Sequence, residues 1–461
     1  MAVPEPIDAT REKHAPAAHA DARHWIHEPG VTFLNHGSFG GCPAAVLETQ
    51  AAWRARLEGE PVRFFAEDLF DLLGWARQHT ARFLGCDVDG LVFVPNATTG
   101  VATAIHNLIA SGQAGPGDEL LTTDHEYPAC VNNARHLAGR AGIEVTTARL
   151  PFPHPTPGAV VEAVLSAVTP RTKIALLSQI TSASALVLPA HALSGELERR
   201  GVRVVLDGAH APGHVPMRVD DFGASYYAAN LHKWVCSPKG SAVLYVGQDQ
   251  RDRCRPMILS NLADSPLPGR NHLHTEFDYI GTTDPTAVLC VPAALRIMAA
   301  IASGQPPKRF PAEPFATAPA DDTIDHAWSV VRTRNRALAL AAQRLISERL
   351  GEPAPVPESM TGCIALAALP DAADDAQAGA RAKLADRPSK YADALQDALI
   401  ARWGIQTPIV HPATPRRSET PLRCVRVSAQ LYNALAQYAY LAQALEAELA
   451  RERDRAKSTP V

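Results

Sequence analysis

The chain has 461 residues, of which 46% are hydrophobic and 20% charged, and its formal net charge is −4. This profile is typical of a globular protein of two or three domains, and the small negative charge argues against nucleic acid as the main partner. We also expect no membrane span, because no apolar run of about 18 residues occurs. The eight cysteines include no C-x-x-C pair, which argues against a zinc or redox motif and favours the cytoplasm.

Residues 1–24 are polar, contain no signal-peptide segment and are expected to form a flexible arm. From residue 25 to about 302, strand-like and helix-like segments alternate. Short apolar strands separated by helices need crossover connections, so the pattern predicts an α/β fold with a mostly parallel, seven-stranded sheet. The predicted strands are Leu91–Val94, Glu119–Thr122, Glu144–Thr147, Lys173–Ser178, Val202–Leu206, Ser225–Ala228 and Ser241–Val246, and the intervening helices include Thr98–Ala110, Ala129–Ala141 and Gly158–Val168.

The last third of the sequence predicts a smaller α+β domain over residues 326–461, joined to the large domain (25–302) through a Pro/Ala-rich linker or insertion at 303–325. Residues 370–388, rich in Ala and Asp, are interpreted as a second insertion. The elements expected in this domain are the helices His326–Leu350, Tyr391–Trp403 and Tyr432–Leu449 and the strand Leu422–Val427.

Lys233 is the first candidate for chemistry, because it closely follows the predicted strand Ser225–Ala228. A lysine that holds a carbonyl cofactor as a Schiff base needs a rigid mount and partial desolvation, and the end of a strand offers both. A buried lysine without a function would show the same pattern.

Two further features complete a possible pyridoxal phosphate (PLP) site. Asp207 follows the predicted strand Val202–Leu206, where a carboxylate faces the ligand crevice of a parallel sheet and can pair with the cofactor's pyridine nitrogen. Residues 96–100, with the sequence NATTG, begin a predicted helix and offer hydroxyl and N–H groups to a phosphate. The alternatives are a turn aspartate and ordinary helix capping.

The order of these features along the chain leads to a resemblance. The segments LNHGSFG, NATTG, DHEYPA, LDGAHAPG, NLHKWVCSPKG, IGTTDPT and VRVSAQLYN together resemble the class V aminotransferase family, and within it the isopenicillin N epimerase-like branch. The resemblance covers residues 25–300 and 390–447. It implies a PLP-dependent enzyme of fold type I, with a large PLP-binding domain and a small C-terminal domain.

The resemblance also implies roles for the residues around the cofactor. Lys233 matches the lysine that binds the cofactor and moves the α proton, with Lys239 as the alternative lysine. Asp207 matches the partner of the pyridine nitrogen. His210 falls near the cofactor's phenolic oxygen, or is a loop histidine bonded to backbone. Tyr127 matches the ring that stacks on the cofactor.

A second group of residues is expected to bind the phosphate, either within the chain or from the neighbouring subunit. The resemblance implies that Thr98 and Thr99 form the phosphate seat and that Asn230 and His232 add donors to it. His125 is an alternative to the stacking tyrosine. The residues that would reach the phosphate from the neighbouring subunit of a homodimer with shared active sites are Thr282 and Thr283.

A third group concerns the substrate, which we expect to be a small amino acid. Arg426 matches the arginine that grips the substrate carboxylate, and Arg423 is the alternative. Asn35, His36 and Gly37 match a loop that closes over the substrate, although His36 is also interpretable as a structural turn residue. Two departures from the pattern are Gln179, where relatives often carry His, and Ala185, where Gly is common.

The reaction is predicted to be epimerisation at the α carbon of a substituted amino acid. The alternatives are C–S lysis or cysteine desulfuration, then transamination, then a non-catalytic PLP-fold binding module. Desulfuration through a persulfide needs a cysteine on a mobile loop, whereas Cys363 is predicted to begin a strand and to serve packing.

Overall fold

The structure, a computed structural model, describes residues 16–265, 267–315, 322–370, 389–391, 393–413 and 422–458. The strands are β1 Thr32–Phe33, β2 Leu91–Val94, β3 Glu119–Thr123, β4 Glu144–Ala148, β5 Thr172–Ser178, β6 Arg203–Asp207, β7 Tyr226–Asn230, β8 Ala242–Val246, β9 Ile364–Ala368, β10 Ile405–Gln406, β11 Ile409–Val410 and β12 Cys424–Ser428.

The helices are α1 His36–Phe39, α2 Ala44–Gly59, α3 Pro61–Arg63, α4 Leu69–Leu84, α5 Ala97–Ala110, α6 Pro128–Arg140, α7 Pro157–Ser166, α8 Ala190–Arg199, α9 His272–Asp278, α10 Thr286–Leu289, α11 Val291–Ala302, α12 Asp322–Leu350, α13 Ala394–Trp403 and α14 Leu435–Ser458. Short 3-10 segments occupy Ala20–His24, Val88–Gly90, Asp220–Phe222, Gln248–Arg253 and Glu358–Met360, and Phe64–Asp68 is a π-helical turn.

The central feature is a seven-stranded sheet of order β2-β8-β7-β6-β5-β3-β4, which confirms the predicted α/β fold. The pairs β4-β3, β3-β5, β5-β6 and β6-β7 are parallel, whereas β8 runs antiparallel to both of its neighbours. The carboxyl ends of β2, β5, β6 and β7 therefore meet at one edge, where ligands bind in open sheets of this type.

Both faces of this sheet are buried, as expected when crossover helices cover a parallel sheet. Alternate residues of each strand enter different cores: in β6, Val204 and Leu206 join one cluster and Val205 joins the other. Because side chains alternate across a strand, one face packs against α4 and α8 and the other against α5 and α6.

The C-terminal part forms an antiparallel sheet of order β11-β12-β9, packed against α12 and α14. Strand β1 pairs with β10, so the N-terminal segment before α1 joins this part of the molecule. That pairing brings residues 35–37 close to β12, far away in sequence. No helix in the described part of the chain is long and apolar enough to cross a membrane.

The predicted elements are present, with shifted ends. The last helix begins at Leu435 rather than Tyr432, because Asn433 accepts from the Gln430 N–H and Gln437 accepts from the Ala434 N–H in a capped turn. The preceding helix begins at Ala394, where Asp393 accepts from the Leu395 N–H. The remaining shifts are one or two residues, apart from α12, which begins at Asp322, and the C-terminal extension of α14.

The expected flexible arm is attached to the body of the protein over part of its length. The His19 N–H donates to Tyr432 O, and Asp21 forms an ion pair with Arg334 at 2.9 Å. Residues 1–15, 316–321 and 371–388, which hold the rest of the arm, a short part of the predicted linker at 303–325 and nearly all of the second predicted insertion, lie outside the described residues.

Candidate active site

A cavity of about 270 Å³ opens at the carboxyl edge of the large sheet. It is lined by residues that follow β2, β5, β6 and β7 and by the start of α1. The residues predicted for the site that line it are Lys233, Asp207, His210, Thr98, Tyr127, Asn230, His232 and Gly37.

Lys233 projects into this cavity and is partly buried. Its Nζ lies 3.2 Å from Nε2 of His210. Burial lowers the pKa of Lys233 to about 8, against the charge of Asp207, which raises it. The alternative, Lys239, lines a different cavity and donates to Gly40 O at 3.1 Å, so Lys233 is the lysine that meets the other candidate residues.

Asp207 is the last residue of β6 and is buried. Its Oδ1 accepts from the Ala209 N–H at 2.8 Å and its Oδ2 accepts from the Cys130 S–H at 3.3 Å. Burial raises the pKa of Asp207, and these two donors together with the charge of Lys233 oppose that rise. The donors therefore favour the ionised carboxylate and fix its direction.

His210 is buried beside Lys233, and its Nδ1 has no hydrogen-bond partner in the described protein. Burial lowers the pKa of His210 well below the usual histidine value, and the charge of Lys233 adds to this effect. The ring is therefore neutral at pH 7, and it can accept from the Lys233 ammonium through Nε2 while Nδ1 carries the proton.

The start of α5 forms a polar wall of the cavity. Asn96 caps this helix by accepting from the Thr99 N–H at 2.9 Å, and Asn230 Oδ1 accepts from the Ala97 N–H at 2.8 Å. Thr98 lines the cavity, whereas the hydroxyl of Thr99 donates to Asn96. The structure thus places Thr98 in the expected position and uses Thr99 for helix capping.

His232 contributes one ring nitrogen to this wall. Its Nδ1 lies 3.1 Å from Ser241 O, so the proton belongs on Nδ1. Burial lowers the pKa of His232 to about 4, assisted by the charge of Lys233. A hydroxyl, a helix N-terminus and an imidazole therefore surround the space available for an anion.

Arg426, in β12, is buried next to the cavity. Its guanidinium donates to Ser38 Oγ at 2.8 Å, to Asn35 Oδ1 at 3.3 Å and to Ser182 O. Its Nε has no partner, and no carboxylate among the described residues forms an ion pair with it. Arg423, the alternative, is neutralised by Asp393 and Glu452.

His36 was predicted to belong to a loop that closes over the substrate, but in the structure it does not line the cavity. His36 is fully buried, with Nδ1 2.9 Å from the Tyr432 hydroxyl and Nε2 3.0 Å from Lys233 O. Burial lowers the pKa of His36 to about 3. This correction follows from the pairing of β1 with β10, which buries the ring behind Lys233, where it holds the lysine backbone. Gly37 does line the cavity.

Tyr127 lines the cavity and is 43% exposed, whereas His125 is buried and its Nδ1 lies 2.7 Å from Ser184 Oγ. Tyr127 rather than His125 is therefore available to a bound molecule, and Phe39, 70% exposed, also lines the cavity. Thr282 and Thr283 are exposed and do not line the cavity of their own chain.

The structure explains the contacts of Gln179 but gives no reason for alanine at position 185. Gln179 faces away from the Lys233 cavity and accepts from the Tyr227 hydroxyl at 2.9 Å. Ala185 has a φ of 56°, a left-handed conformation in which glycine carries no steric cost.

The residues near the site that were not singled out from the sequence include Cys130, which donates to Asp207, and the pair Ser178 and Glu126. Ser178 lines the cavity and donates to the buried carboxyl of Glu126. Burial raises the pKa of Glu126 to about 7. Glu126 lies within the DHEYPA segment, but its spacing alone gives no sign that it is buried beside β5.

Cys363 packs in the core, as predicted. It is fully buried, its N–H donates to Nε2 of His214, and its S–H donates to His214 O at 3.3 Å. Burial raises the pKa of this thiol. All eight cysteines are unpaired, and only Cys86 is more than slightly exposed.

These groups fit PLP. The cavity joins a depressed-pKa lysine, a buried carboxylate held by two donors, and a helix N-terminus flanked by a hydroxyl and an imidazole. The unpartnered Nδ1 of His210 is an additional polar atom at the same place. An amine, an anion for a pyridine nitrogen and a phosphate seat are the groups that this cofactor requires.

The fold and the site therefore define a PLP-dependent enzyme. The chain belongs to the class-V aminotransferase family, whose model matches residues 42–303. Its cofactor is accordingly pyridoxal 5′-phosphate.

Similar proteins extend this comparison over the rest of the chain. The isopenicillin N epimerase of Amycolatopsis lactamdurans is 31% identical over 445 residues, covering 93% of this chain and 98% of the relative. A putative L-cysteine desulfhydrase of Oryza sativa subsp. japonica is 28% identical and covers 77% of this chain and 70% of its own length. The cystine C–S lyase C-DES, solved in complex with cysteine persulfide, has a TM-score of 0.67 at 19% identity and covers 90% of this chain and 97% of its own, which shows a shared fold.

Proposed function

We propose that this protein epimerises the α carbon of a substituted amino acid. The observation that carries the proposal is the meeting of Lys233, His210 and Asp207 in one cavity, with Lys233 Nζ 3.2 Å from His210 Nε2. The similarity to an isopenicillin N epimerase over nearly the full length of both chains supports epimerisation over other reactions at this carbon. PLP, when bound, supplies an electron sink for the negative charge that develops there.

Lys233 is proposed to bind the cofactor covalently and then to act as the base and acid for the α proton. A pKa of about 8 keeps a usable fraction of the amine unprotonated at neutral pH. The backbone of Lys233 is fixed by a buried histidine, because His36 Nε2 lies 3.0 Å from the Lys233 carbonyl oxygen. Asp207 is proposed to pair with the pyridine nitrogen and His210 to contact the phenolic oxygen.

The phosphate is proposed to lie at the start of α5, contacted by Thr98, Asn230 and His232. Thr99 supports this wall indirectly by donating to Asn96. Since Nδ1 of His232 is engaged by Ser241 O, its Nε2 is the atom that faces an anion.

The substrate carboxylate is proposed to bind Arg426, assisted by Asn35 and Gly37. A buried guanidinium with only neutral oxygen partners is well suited to a carboxylate. Epimerisation needs a proton on the face opposite Lys233. Tyr127 is proposed to supply it, because this ring lines the same cavity and its phenol carries a proton that can be donated.

We further propose a cytoplasmic homodimer with shared active sites. Support for the dimer comes from the exposed Thr283 and from exposed apolar side chains such as Phe39 and Ile258 (70% and 61%). The unpaired cysteines support a reducing compartment. In the dimer, Thr283 of one subunit would reach the phosphate of the other. Mixing Lys233→Ala with Thr283→Arg tests this: with shared sites, each variant alone is inactive and mixing restores part of the activity through one intact site per heterodimer. With unshared sites, Thr283→Arg alone stays active and mixing adds no activity.

C–S lysis is the second candidate, favoured by the desulfhydrase relative and the C-DES fold. The described site contains no accessible low-pKa thiol, so a cysteine desulfurase route through a protein persulfide is disfavoured. Transamination and a non-catalytic binding role have no specific support in the site.

The experiment follows the visible absorption of the lysine-bound cofactor, with Lys233→Ala as the variant and Lys239→Ala as the matched control. We expect the band in the wild type and in Lys239→Ala and its loss in Lys233→Ala. The wild type is then assayed with L-amino acids for the D isomer and for pyruvate, ammonia and sulfide. Formation of the D isomer supports epimerisation, and release of sulfide supports lysis. If neither product forms, both proposed functions are contradicted.

A further inference from the structure

A second cavity, of about 680 Å³, shares no lining residue with the cavity of Lys233. It lies between the turn at residues 214–218 and the start of α8 on one side, and α12 on the other. We call it the arginine cavity, after Arg218, Arg332 and Arg336 in its lining. The proposal made below does not depend on the proposed reaction.

The two walls of the arginine cavity differ in character. The large-domain wall is mostly apolar and includes Leu188, Met217 and Phe222. The opposite wall is cationic: Arg332 and Arg336 are four residues apart on α12 and therefore lie on one face of the helix.

Few charges oppose those of this wall: burial lowers the pKa of Arg332, and the nearby charge of Asp325 partly opposes that fall. Among the described residues, Nε of Arg332 is buried without a partner, and neither Arg332 nor Arg336 forms an ion pair with a carboxylate. Arg336 donates instead to the carbonyl oxygens of Thr361 and Glu358. The single acid in the lining, Asp221, is 3.8 Å from Arg218 with both side chains exposed, an arrangement of little energetic weight.

We propose that the arginine cavity binds a small carboxylate with an apolar body. Its volume is within the range of roughly 300–1,000 Å³ found for small-molecule sites. A guanidinium with free donors recognises a carboxylate, and the facing apolar wall accepts the hydrocarbon part.

An occupant would contact the reverse side of the segment that carries the cofactor residues. His214, in the lining, has Nδ1 3.0 Å from His210 O. The N–H of Gln179, also in the lining, donates to Asp207 O at 2.8 Å. These two hydrogen bonds place the lining of the arginine cavity directly against the backbone of His210 and Asp207.

The test is calorimetric titration of the holoenzyme with hexanoate, with hexanol as the uncharged probe. It is performed in an Arg426→Gln background, so that the proposed substrate arginine cannot take the carboxylate. We expect saturable hexanoate binding at one site per chain and no comparable binding of hexanol. Arg332→Gln weakens binding by about tenfold or more, as expected for the loss of a charge-assisted contact.

Arg344→Gln is the matched control, because Arg344 is on the same helix but is exposed, paired with Glu358 and absent from the lining. It leaves hexanoate affinity unchanged. Arg336→Gln provides a second variant in case Arg332→Gln unfolds, which circular dichroism detects. Absence of saturable binding, equal affinity for hexanol, or affinity unaffected by both lining variants overturns the proposal.

Discussion

The pKa of Lys233 leads to a quantitative prediction about its reactivity. A pKa of about 8 leaves roughly one amine in ten unprotonated at pH 7, against roughly one in three thousand at the ordinary value of 10.5. The amine of Lys233 is therefore expected to be about 300-fold richer in its nucleophilic form than an ordinary lysine. Asp207 opposes this effect, since its charge raises the pKa of Lys233.

The perturbation is Asp207→Asn, which removes that charge and lowers the pKa of Lys233 below 8. A fall of about one unit would bring the unprotonated fraction at pH 7 to roughly one half, a gain of about fivefold. The assay is reductive alkylation of the apoprotein by acetaldehyde and cyanoborohydride across a pH series, with labelling of Lys233 and Lys239 measured in the same digest by mass spectrometry. Lys239 reports the reactivity of the reagent at an exposed amine.

The control variant is Asp249→Asn, which changes an exposed acid paired with Arg203. It is expected to leave the Lys233 profile unchanged. Half-maximal labelling of Lys233 near pH 10.5 in the wild type, or an upward shift in Asp207→Asn, would refute this prediction, because burial and the charge of Asp207 are the two largest effects on the pKa of Lys233.

Three further predictions concern the substrate, the reaction and the fold. Arg426→Gln raises KM for the amino acid by about ten- to a hundredfold, the loss expected for a charge-assisted contact, while the cofactor band persists; an unchanged KM contradicts carboxylate binding by Arg426. Tyr127→Phe retains exchange of the α proton with solvent deuterium through Lys233 but loses formation of the D isomer, and a variant that still epimerises assigns the second proton to another group. Leu206→Ala, at a fully buried position of β6, lowers the free energy of unfolding by about 2–5 kcal/mol, measured by urea denaturation, whereas a loss below about 1 kcal/mol contradicts close packing there.

The sequence was sufficient to place the proposed cofactor residues around one cavity, because each lies close to the end of a short strand. Asp207, Lys233 and the helix after Asn96 each follow a short apolar strand, and strands in one parallel sheet bring their carboxyl ends to one edge. Those residues therefore meet whatever the detailed packing. The same local pattern could not fix strand ends, so Asp207 belongs to β6 itself and Asn230 to β7.

The choice between similar residues depended on distant partners. Arg423 and Arg426 are three positions apart in one stretch, yet Asp393 and Glu452 neutralise the first while the second meets only neutral oxygens of Ser38, Asn35 and Ser182. Their different roles follow from the acids that α13 and α14 bring to one side of β12, which no local pattern encodes.

By itself, the sequence determined the alternation of strands and helices, the parallel sheet and the lysine, aspartate and helix start at its edge, because hydrophobic period and chain order are local properties. Only the tertiary structure decided that His36 contacts the backbone of Lys233, that Thr99 donates to the cap residue Asn96 and that Arg332 and Arg336 face an apolar wall. Burial, charge and hydrogen bonding at these positions are set by neighbours remote in sequence, and the pKa of each group depends on those neighbours.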